Sequence, residues 1–200
     1  MISFQKEINK YKNVIGIDEV GRGTLAGPVI AAAVLLKEDI EIHGINDSKK
    51  LSFKKRNLLF NKIINHSHYS IGISSVKEID KLNILQASLL AMRRAASSFI
   101  KTKFKIIVDG PYSFNIKNKN ILPIIKGDQK YPSIAAASII AKVTRDNFMT
   151  ILSNKYPLYG WETNFGYGTR LHLNQIKKHG ITSMHRKSFD PIHKILFKKN

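Results

Sequence analysis

The sequence contains no cysteine among its 200 residues. A disulfide framework and a thiolate zinc site are therefore both excluded, and nothing requires an oxidising compartment. The first twelve residues lack the apolar run of a signal peptide, and no stretch of roughly eighteen uncharged apolar residues could span a membrane. The sequence therefore predicts a cytoplasmic protein.

Acidic residues are scarce, with 14 Asp and Glu against 33 Lys and Arg, for a formal net charge of +19. A charge of this size indicates a polyanionic partner, and nucleic acid is the first candidate. A solvated basic surface that reflects a composition rich in Lys, Asn and Ile is the alternative. Charge alone does not decide between the two.

No repeat, low-complexity tract or Pro/Ser-rich linker divides the chain, so we expect one domain over residues 1–200. Alternation of β-branched runs with amphipathic stretches predicts an α/β fold, in which strands come first and helices accumulate later. The expected strands are Val14–Asp18, Val29–Leu36, Tyr69–Val76, Lys105–Val108 and Ile121–Ile125. The expected helices run from Ser52 to about Asn65, from Asn83 to Ile100, from Pro132 through Phe148, and from Thr169 to Gly180.

Acids are rarest in the last 120 residues, which hold 21 basic residues and 5 acidic ones. Each acid there calls for a reason. Asp109 directly follows an apolar run and precedes Gly110, and Asp18 with Glu19 likewise ends the first apolar run. The carboxyl end of a strand is a common position for functional residues of α/β folds. Two strand ends therefore carry three candidate catalytic acids.

Adjacent strand residues point to opposite faces, so Asp18 and Glu19 share a site only if the backbone bends between them, and the glycines that follow favour such a bend. Asp128 is the best fourth ligand, because Asp146 would lie roughly 20 Å further along the next helix at ~1.5 Å per residue. Clustered carboxylates suit a hard cation such as Mg²⁺. Alternatively, Asp18 and Asp109 are turn residues, and Asp128 is a cap near that helix.

Two glycine-containing segments add candidates for binding. Gly21-Arg22-Gly23 fits neither a Walker loop nor a dinucleotide fingerprint, but it could bring backbone amides close to a phosphate or a ribose; an ordinary turn is the alternative. Tyr167 lies between two glycines in the aromatic segment 156–167 and could stack on a sugar or base. We expect most of the other aromatic side chains there to lie in the core.

The histidines include no pair that resembles a zinc site, and no Ser-His-Asp set can be chosen. His172 and His185 remain candidates for residues that support a site. The basic clusters at 49–50 and 54–56 are most simply a solvated face, although they could line a phosphate track.

The run from Gly16 to Gly23, GIDEVGRG, followed by LAGPV from Leu25 to Val29, resembles the opening signature of the bacterial ribonuclease HII family, a type 2 RNase H. The resemblance continues in chain order through Asp47–Leu51, Val108–Gly110, Gly127–Asp128, Ala135–Asp146, Gly166–Thr169 and His185–Phe189. It implies an RNase H-like fold, with a central mixed β-sheet flanked by helices and a helical C-terminal part from about residue 155.

The resemblance also implies the chemistry. The four metal-binding acids of the family map onto Asp18, Glu19, Asp109 and Asp128, with Mg²⁺ or Mn²⁺ as cofactor. Substrate-binding roles fall on Gly21, Arg22, Gly23, Lys49 and Tyr167, where the Gly-Arg-Gly motif reads the 2′-hydroxyl that distinguishes RNA from DNA. The implied activity is two-metal hydrolysis of RNA in RNA/DNA hybrids, and 5′ of ribonucleotides embedded in duplex DNA, leaving 5′-phosphate and 3′-hydroxyl ends.

Two positions depart from the family pattern. Thr24 stands where proline is usual, and we expect a looser turn there. Asp190 stands where a small apolar residue is more usual, and the sequence offers no account of it. We expect a monomer; the Lys-rich segment Lys194–Asn200 could contact a replication clamp, but we favour disorder there.

Two other interpretations remain. Ribonuclease HIII would share the core, but the catalytic signature here begins only ~13 residues from the N-terminus, which leaves no room for that family's extra domain. A catalytically silent nucleic-acid-binding module would also be basic. Dependence on magnesium separates this module from an enzyme.

Overall fold

The computed structural model describes residues 14–37, 45, 51–116 and 120–197. Its centre is a five-stranded sheet in the order β3-β2-β1-β4-β5. The strands are β1 Val14–Val20, β2 Val29–Leu36, β3 Ser67–Ser74, β4 Lys105–Asp109 and β5 Ile121–Ile124. β1, β2 and β3 pair antiparallel, whereas β4 pairs parallel with both β1 and β5. The sheet is therefore mixed, as expected.

The helices are α1 Phe53–Asn65, α2 Val76–Leu82, α3 Ile84–Ala96, α4 Pro132–Lys155, α5 Trp161–Asn164, α6 Arg170–His179 and α7 Ile192–Phe197. The side chains of Ser52, Asn83 and Thr169 cap α1, α3 and α6 as the sequence predicts. No helix in the described ranges combines the length and apolarity needed to cross a lipid bilayer.

The sheet lies between two helical layers. α3 packs on one face, against Ile15, Ile17 and neighbouring side chains, while α4 and α1 cover the other face. α4 approaches β1 closely at Gly16, where a Cβ would lie 2.3 Å from the backbone nitrogen of Ile134. Because glycine leaves no side chain between the two elements, the first turns of α4 lie directly on β1.

One predicted strand is wrong at its end. The strand expected over Tyr69–Val76 stops at Ser74, and Ser75 begins a capping box in which its hydroxyl accepts from the Glu78 backbone while the Glu78 carboxylate accepts from the Ser75 backbone. The Ser-x-x-Glu spacing is a start signal for a helix. α2 therefore begins within the stretch that was predicted to be the end of a strand.

Beyond Lys155 the described elements are all helical, and they enclose a separate apolar cluster around Trp161 and Ile176. α7 extends to Phe197, so the expected disorder is wrong for residues 194–197, and residues 198–200 lie outside the described chain. Asp190 now has a partner, since its carboxylate lies 2.8 Å from the Lys194 ammonium. The description of the chain as a single domain stays a prediction.

Candidate active site

The first two candidate acids lie side by side at the ends of adjacent parallel strands. Ile17 of β1 is in register with Val108 of β4, so the next residues, Asp18 and Asp109, stand at the same level of the sheet. Residues paired in this way face the same side. That side is the one covered by α4, since Gly16, two residues before Asp18, contacts α4. The parallel pairing therefore brings together two carboxylates that are distant in sequence.

Asp18 is almost completely buried, with 5% of its surface exposed. Burial raises its pKa well above the usual range, and the charges of Glu19 and Asp109 raise it further. The Ser138 side chain and the Glu19 backbone N–H, at 2.8 Å, oppose this by hydrogen bonding to the carboxylate. Ser138 was not among the candidate site residues predicted from the sequence. Its position in α4, on the β1 face, gives it this role.

Glu19 does not follow the expected geometry. The β1–β2 register continues unbroken through Asp18 and Glu19 to Val20, so the expected bend between the two acids is wrong. The Oε1 of Glu19 lies 3.2 Å from Nη1 of Arg22, and the charge of Glu19 still acts on the neighbouring Asp18. Burial raises the pKa of Glu19, against the lowering effect of Arg22, while Asp109 adds to the rise.

Asp109 and Asp128 are linked through the backbone. The N–H of Gly127 donates to Oδ1 of Asp109 at 2.7 Å, which ties the end of β4 to the short 3₁₀ turn Gly127–Gln129. Asp128, half-buried, is the second residue of this turn. A Cβ at position 127 would lie 2.6 Å from Cδ1 of Ile134, so a side chain there would displace the end of that isoleucine. Packing of α4 therefore sets where Asp128 stands relative to Asp109.

The donor chemistry of these four acids fits a hard divalent cation, because all their ligand atoms are carboxylate oxygens. The raised pKa values of Asp18 and Glu19 reflect burial and like charge that a cation would offset. Within the described ranges, however, no three His, Asp or Glu side chains are placed to hold a metal ion together. Glu19 is directed to Arg22, so ligation by all the acids requires side chains to rotate. Asp146 pairs instead with Lys142, at 2.8 Å.

The connection between β1 and β2, residues 21–28, forms what we call the glycine loop, and two of its glycines differ in kind. Gly21 has a φ of +94°, and a Cβ on it would lie 2.3 Å from Nε of Arg145. Gly23 has no such φ, and a Cβ on it would meet no heavy atom within 4 Å. Gly21 is therefore explained by the fold. Nothing in the described chain requires glycine at position 23, which faces open space.

Thr24 tightens this loop. It is completely buried; its hydroxyl donates to the carbonyl of Gly21 at 3.1 Å and accepts from Nη2 of Arg145 at 2.8 Å. The looser turn expected from threonine in place of proline is therefore wrong, because the hydroxyl supplies two bonds that a proline ring lacks. Arg145 and Arg186, which both bind this loop, escaped the sequence analysis: in a chain so rich in basic residues, neither stood out.

In the aromatic segment, the structure separates Tyr167 from the rest. Tyr159 and Trp161 are buried and stack at a centroid distance of 5.3 Å, as the core interpretation expects. Tyr167 is 41% exposed, and the ammonium of Lys142 lies 6.0 Å from its ring centre. Its ring is therefore available to a ligand.

His172 and His185 lie beneath this segment and take no part in the carboxylate cluster. His172 Nδ1 lies 2.8 Å from the carbonyl of Tyr167, and its Nε2 accepts from the indole N–H of Trp161 at 3.0 Å. His185 Nδ1 accepts from the Thr182 backbone N–H at 2.9 Å, which leaves its Nε2 to face His172 at 3.1 Å. The pair supports the backbone that carries Tyr167. Lys49 falls outside the described residues, so its role stays a prediction.

A mixed five-stranded sheet with helices on both faces, and acids at the ends of adjacent central strands, is the arrangement of an RNase H-like nuclease. The family model described as ribonuclease HII matches residues 15–198. The chain therefore belongs to the ribonuclease HII family, endonucleases that hydrolyse RNA in RNA/DNA hybrids. The resemblance stated from the sequence is confirmed.

Individual relatives agree with the family match. Ribonuclease HII of Pelagibacter ubique is 52% identical over 188 residues, which cover 92% of this chain and 100% of the relative. The crystal structure of ribonuclease H2 from Pyrococcus horikoshii OT3 superposes with a TM-score of 0.74 at 30% identity, over 94% of this chain and 99% of that one. The RNase HII chain in a PCNA:RNase HII complex from Archaeoglobus fulgidus has a TM-score of 0.73 at 27% identity, over 88% and 94%.

Proposed function

We propose that this chain cuts the RNA strand of RNA/DNA hybrids and cuts duplex DNA 5′ of embedded ribonucleotides, leaving 5′-phosphate and 3′-hydroxyl ends. The observation that carries the proposal is the pair of the buried Asp18 and the half-buried Asp109, close to the end of β1 from which the open glycine loop departs. One segment of chain thus links an acidic site for chemistry with a backbone site for recognition. Removal of ribonucleotides misincorporated into DNA is the role that follows.

The acids Asp18, Glu19, Asp109 and Asp128 would hold Mg²⁺ or Mn²⁺. Two such ions, when bound, supply Lewis acids that activate water and stabilise the leaving oxygen of a phosphodiester. The protein's part is to favour the ionised form of Asp18, through hydrogen bonds from Ser138 and the Glu19 N–H, and to fix the carboxylate of Asp109 through the Gly127 N–H. The scissile phosphate would then lie over the ends of β1 and β4, open to in-line attack.

Recognition of the ribose falls to the glycine loop and Tyr167. Gly23 leaves a gap in which a sugar can approach the backbone closely, and Arg22 beside it is exposed. A backbone amide or carbonyl exposed in this gap can hydrogen bond to a 2′-hydroxyl, which DNA lacks. The exposed ring of Tyr167 would pack on the deoxyribose that follows the ribonucleotide. Lys49 would contribute to binding of the phosphate backbone.

The assay is cleavage of an end-labelled DNA duplex that contains a single ribonucleotide, run with Mg²⁺, with Mn²⁺ and with a chelator, beside an all-DNA duplex. We expect one cut, 5′ of the ribonucleotide, only with metal. A product with a 3′-phosphate would contradict the proposed attack. Tight binding to both duplexes without any cut would instead indicate a silent binding module.

A clamp contact, a monomeric state and a cytoplasmic location belong to the same proposal. The complex from Archaeoglobus fulgidus shows that a related ribonuclease HII assembles with PCNA. In this chain the last described helix, α7, exposes three apolar side chains, Ile195, Leu196 and Phe197. A protein partner could cover these side chains. Co-elution with a replication clamp, lost on replacing Phe197 with Ala, would support the contact.

A further inference from the structure

Two arginines without any ion pair in the described part of the chain hold the glycine loop from inside. Arg145 on α4 and Arg186, between α6 and α7, are both 0% exposed. Each donates four hydrogen bonds. The acceptors of Arg145 are the carbonyls of Ala26, Pro28 and Phe165 and the hydroxyl of Thr24. The acceptors of Arg186 are the carbonyls of Gly21, Arg22 and Gly27, the last of which is bonded twice.

These bonds determine which way the loop backbone faces. In a trans peptide the C=O of one residue and the N–H of the next point in opposite directions. The carbonyls of Gly21 and Arg22 point inward to Arg186, at 2.6 and 3.0 Å. The N–H groups of Arg22 and Gly23 therefore point outward, at the place where Gly23 meets open space. Arg186 thus turns two amide donors toward the exposed side.

Stability alone does not account for this arrangement. Two guanidinium groups are buried near each other, and burial followed by the charge of Arg145 lowers the pKa of Arg186 to about 9. Burying charges without carboxylate partners is costly, and well-packed apolar side chains commonly replace buried charges at no loss of stability. Apolar side chains, however, could not fix the direction of the six backbone carbonyls that the two arginines bind.

Arg145 also connects the loop to the neighbouring segment. Through Nη1 it binds the carbonyl of Phe165 at 2.9 Å, while its other nitrogens bind the glycine loop. Tyr167 is two residues beyond Phe165. Together with the Leu25 N–H, which donates to the Gly166 carbonyl at 2.8 Å, the Arg145 guanidinium therefore sets the spacing between the Gly23 backbone and the Tyr167 ring.

We propose that Arg145 and Arg186 are positioning residues that hold the amides of Arg22 and Gly23 outward and in register with Tyr167, and so determine discrimination between a ribonucleotide and a deoxyribonucleotide. Thr24 belongs to the same hydrogen-bond network. Its hydroxyl accepts from Arg145 and donates to the carbonyl of Gly21, and so joins Arg145 to the turn. The inference rests on the proposed function, since it concerns how that site selects its substrate.

The test compares Arg145→Lys and Arg186→Lys with Arg94→Lys, an exposed arginine on α3 that pairs with Glu78. Lysine keeps the charge but cannot bridge several carbonyls at once. All are made in an Asp109→Asn background, so that binding is measured without cleavage. The two readouts are the ratio of Kd values for all-DNA and single-ribonucleotide duplexes, and amide hydrogen exchange of peptides covering residues 20–28 and 84–96.

We expect both loop variants to reduce the Kd ratio at least tenfold and to speed exchange in residues 20–28 at least fivefold, with exchange in 84–96 unchanged. The Arg94→Lys variant should match its parent in the Kd ratio and in exchange of residues 20–28. An unchanged Kd ratio in either loop variant would overturn the proposal, as would faster exchange spread equally over 84–96. Thr24→Val removes one bond from Arg145 with little change in volume, and should give a smaller loss of the same ratio if the lysine variants fail to fold.

Failure of the proposed function is visible separately. It would appear as the same Kd for both duplexes in the Asp109→Asn parent, before any loop variant is compared. A parent that discriminates, followed by loop variants that discriminate equally well, would overturn only the role of the arginines.

Discussion

The four candidate acids, Asp18, Glu19, Asp109 and Asp128, lie near the end of β1, where the glycine loop also begins. Both regions bring groups of like charge together, but only the loop neutralises the cost with hydrogen bonds. Burial and mutual repulsion raise the pKa of Asp18 and Glu19, even though Arg22 pairs with Glu19. The two buried arginines are also close together, but backbone carbonyls satisfy them. The site of the four acids therefore has a negative charge that a bound metal ion would offset. The glycine loop is held by several hydrogen bonds from the two buried arginines, and therefore keeps one conformation.

The largest effect is expected from Asp109→Asn, which breaks the acidic side of this comparison. Asparagine keeps an oxygen for the Gly127 N–H but removes the charge. We expect cleavage to fall by about 10³-fold or more, on the order of 4 kcal/mol of transition-state stabilisation, with duplex binding retained. Single-turnover cleavage and a binding titration measure the two effects. Asp190→Asn, in an exposed ion pair on the C-terminal part, is the matched control. Retained cleavage in Asp109→Asn would sink the assignment of this residue.

The glycine pair sharpens the comparison within the loop. Gly21→Ala should destabilise the fold by about 3 kcal/mol. The new Cβ meets the Arg145 side chain, and alanine would have to adopt a φ of +94°. Gly23→Ala should change the free energy of unfolding by less than about 0.5 kcal/mol, since its Cβ meets nothing. Urea unfolding monitored by Trp161 fluorescence gives both values.

The matched binding measurement decides what Gly23 is for. Gly23→Ala should weaken binding to a ribonucleotide-containing duplex more than binding to an all-DNA duplex. If the two duplexes lose affinity equally, position 23 does not contact the ribose. Equal stabilities of the two glycine variants would show that Arg145 does not restrict the loop.

The histidine pair offers a smaller test, in which buried groups are neutral and become charged on acidification. Burial, with the neighbouring His172, lowers the pKa of His185 to about 4 from its ordinary 6.5. Its unfolded form therefore binds a proton first, so its contribution to stability is complete above about pH 6.5 and is lost as pH falls toward 4. From pH 7 to pH 5 the loss should be about 2 kcal/mol.

Other acids titrate in the same range, so the quantity to measure is the difference between the native chain and His185→Asn. Asparagine keeps an acceptor for the Thr182 N–H but does not titrate. Urea midpoints at pH 7 and pH 5 should converge for the two proteins as pH falls. Parallel pH profiles would show that His185 is not a source of acid sensitivity.

Local sequence signals were enough for much of the architecture. Four helix N-termini were predicted correctly: Ser52, Asn83 and Thr169 from side-chain capping, and Pro132 from the φ angle that its ring fixes. Both effects act within one turn of the chain. Asp18 and Asp109 were identified because apolar runs end at them. The missed α2 was also a local signal, the Ser75-to-Glu78 spacing, which was read as the end of a strand.

By itself, then, the sequence determined the family, the fold class and the four candidate acids, because each depends on residues close together in the chain. Only the tertiary structure decided that β4 pairs in parallel beside β1, which sets Asp109 next to Asp18. Only there does Arg186 reach the carbonyl of Gly21, 165 residues away. A long side chain in a basic protein looks like surface until the packing shows what surrounds it, and no local pattern encodes that burial.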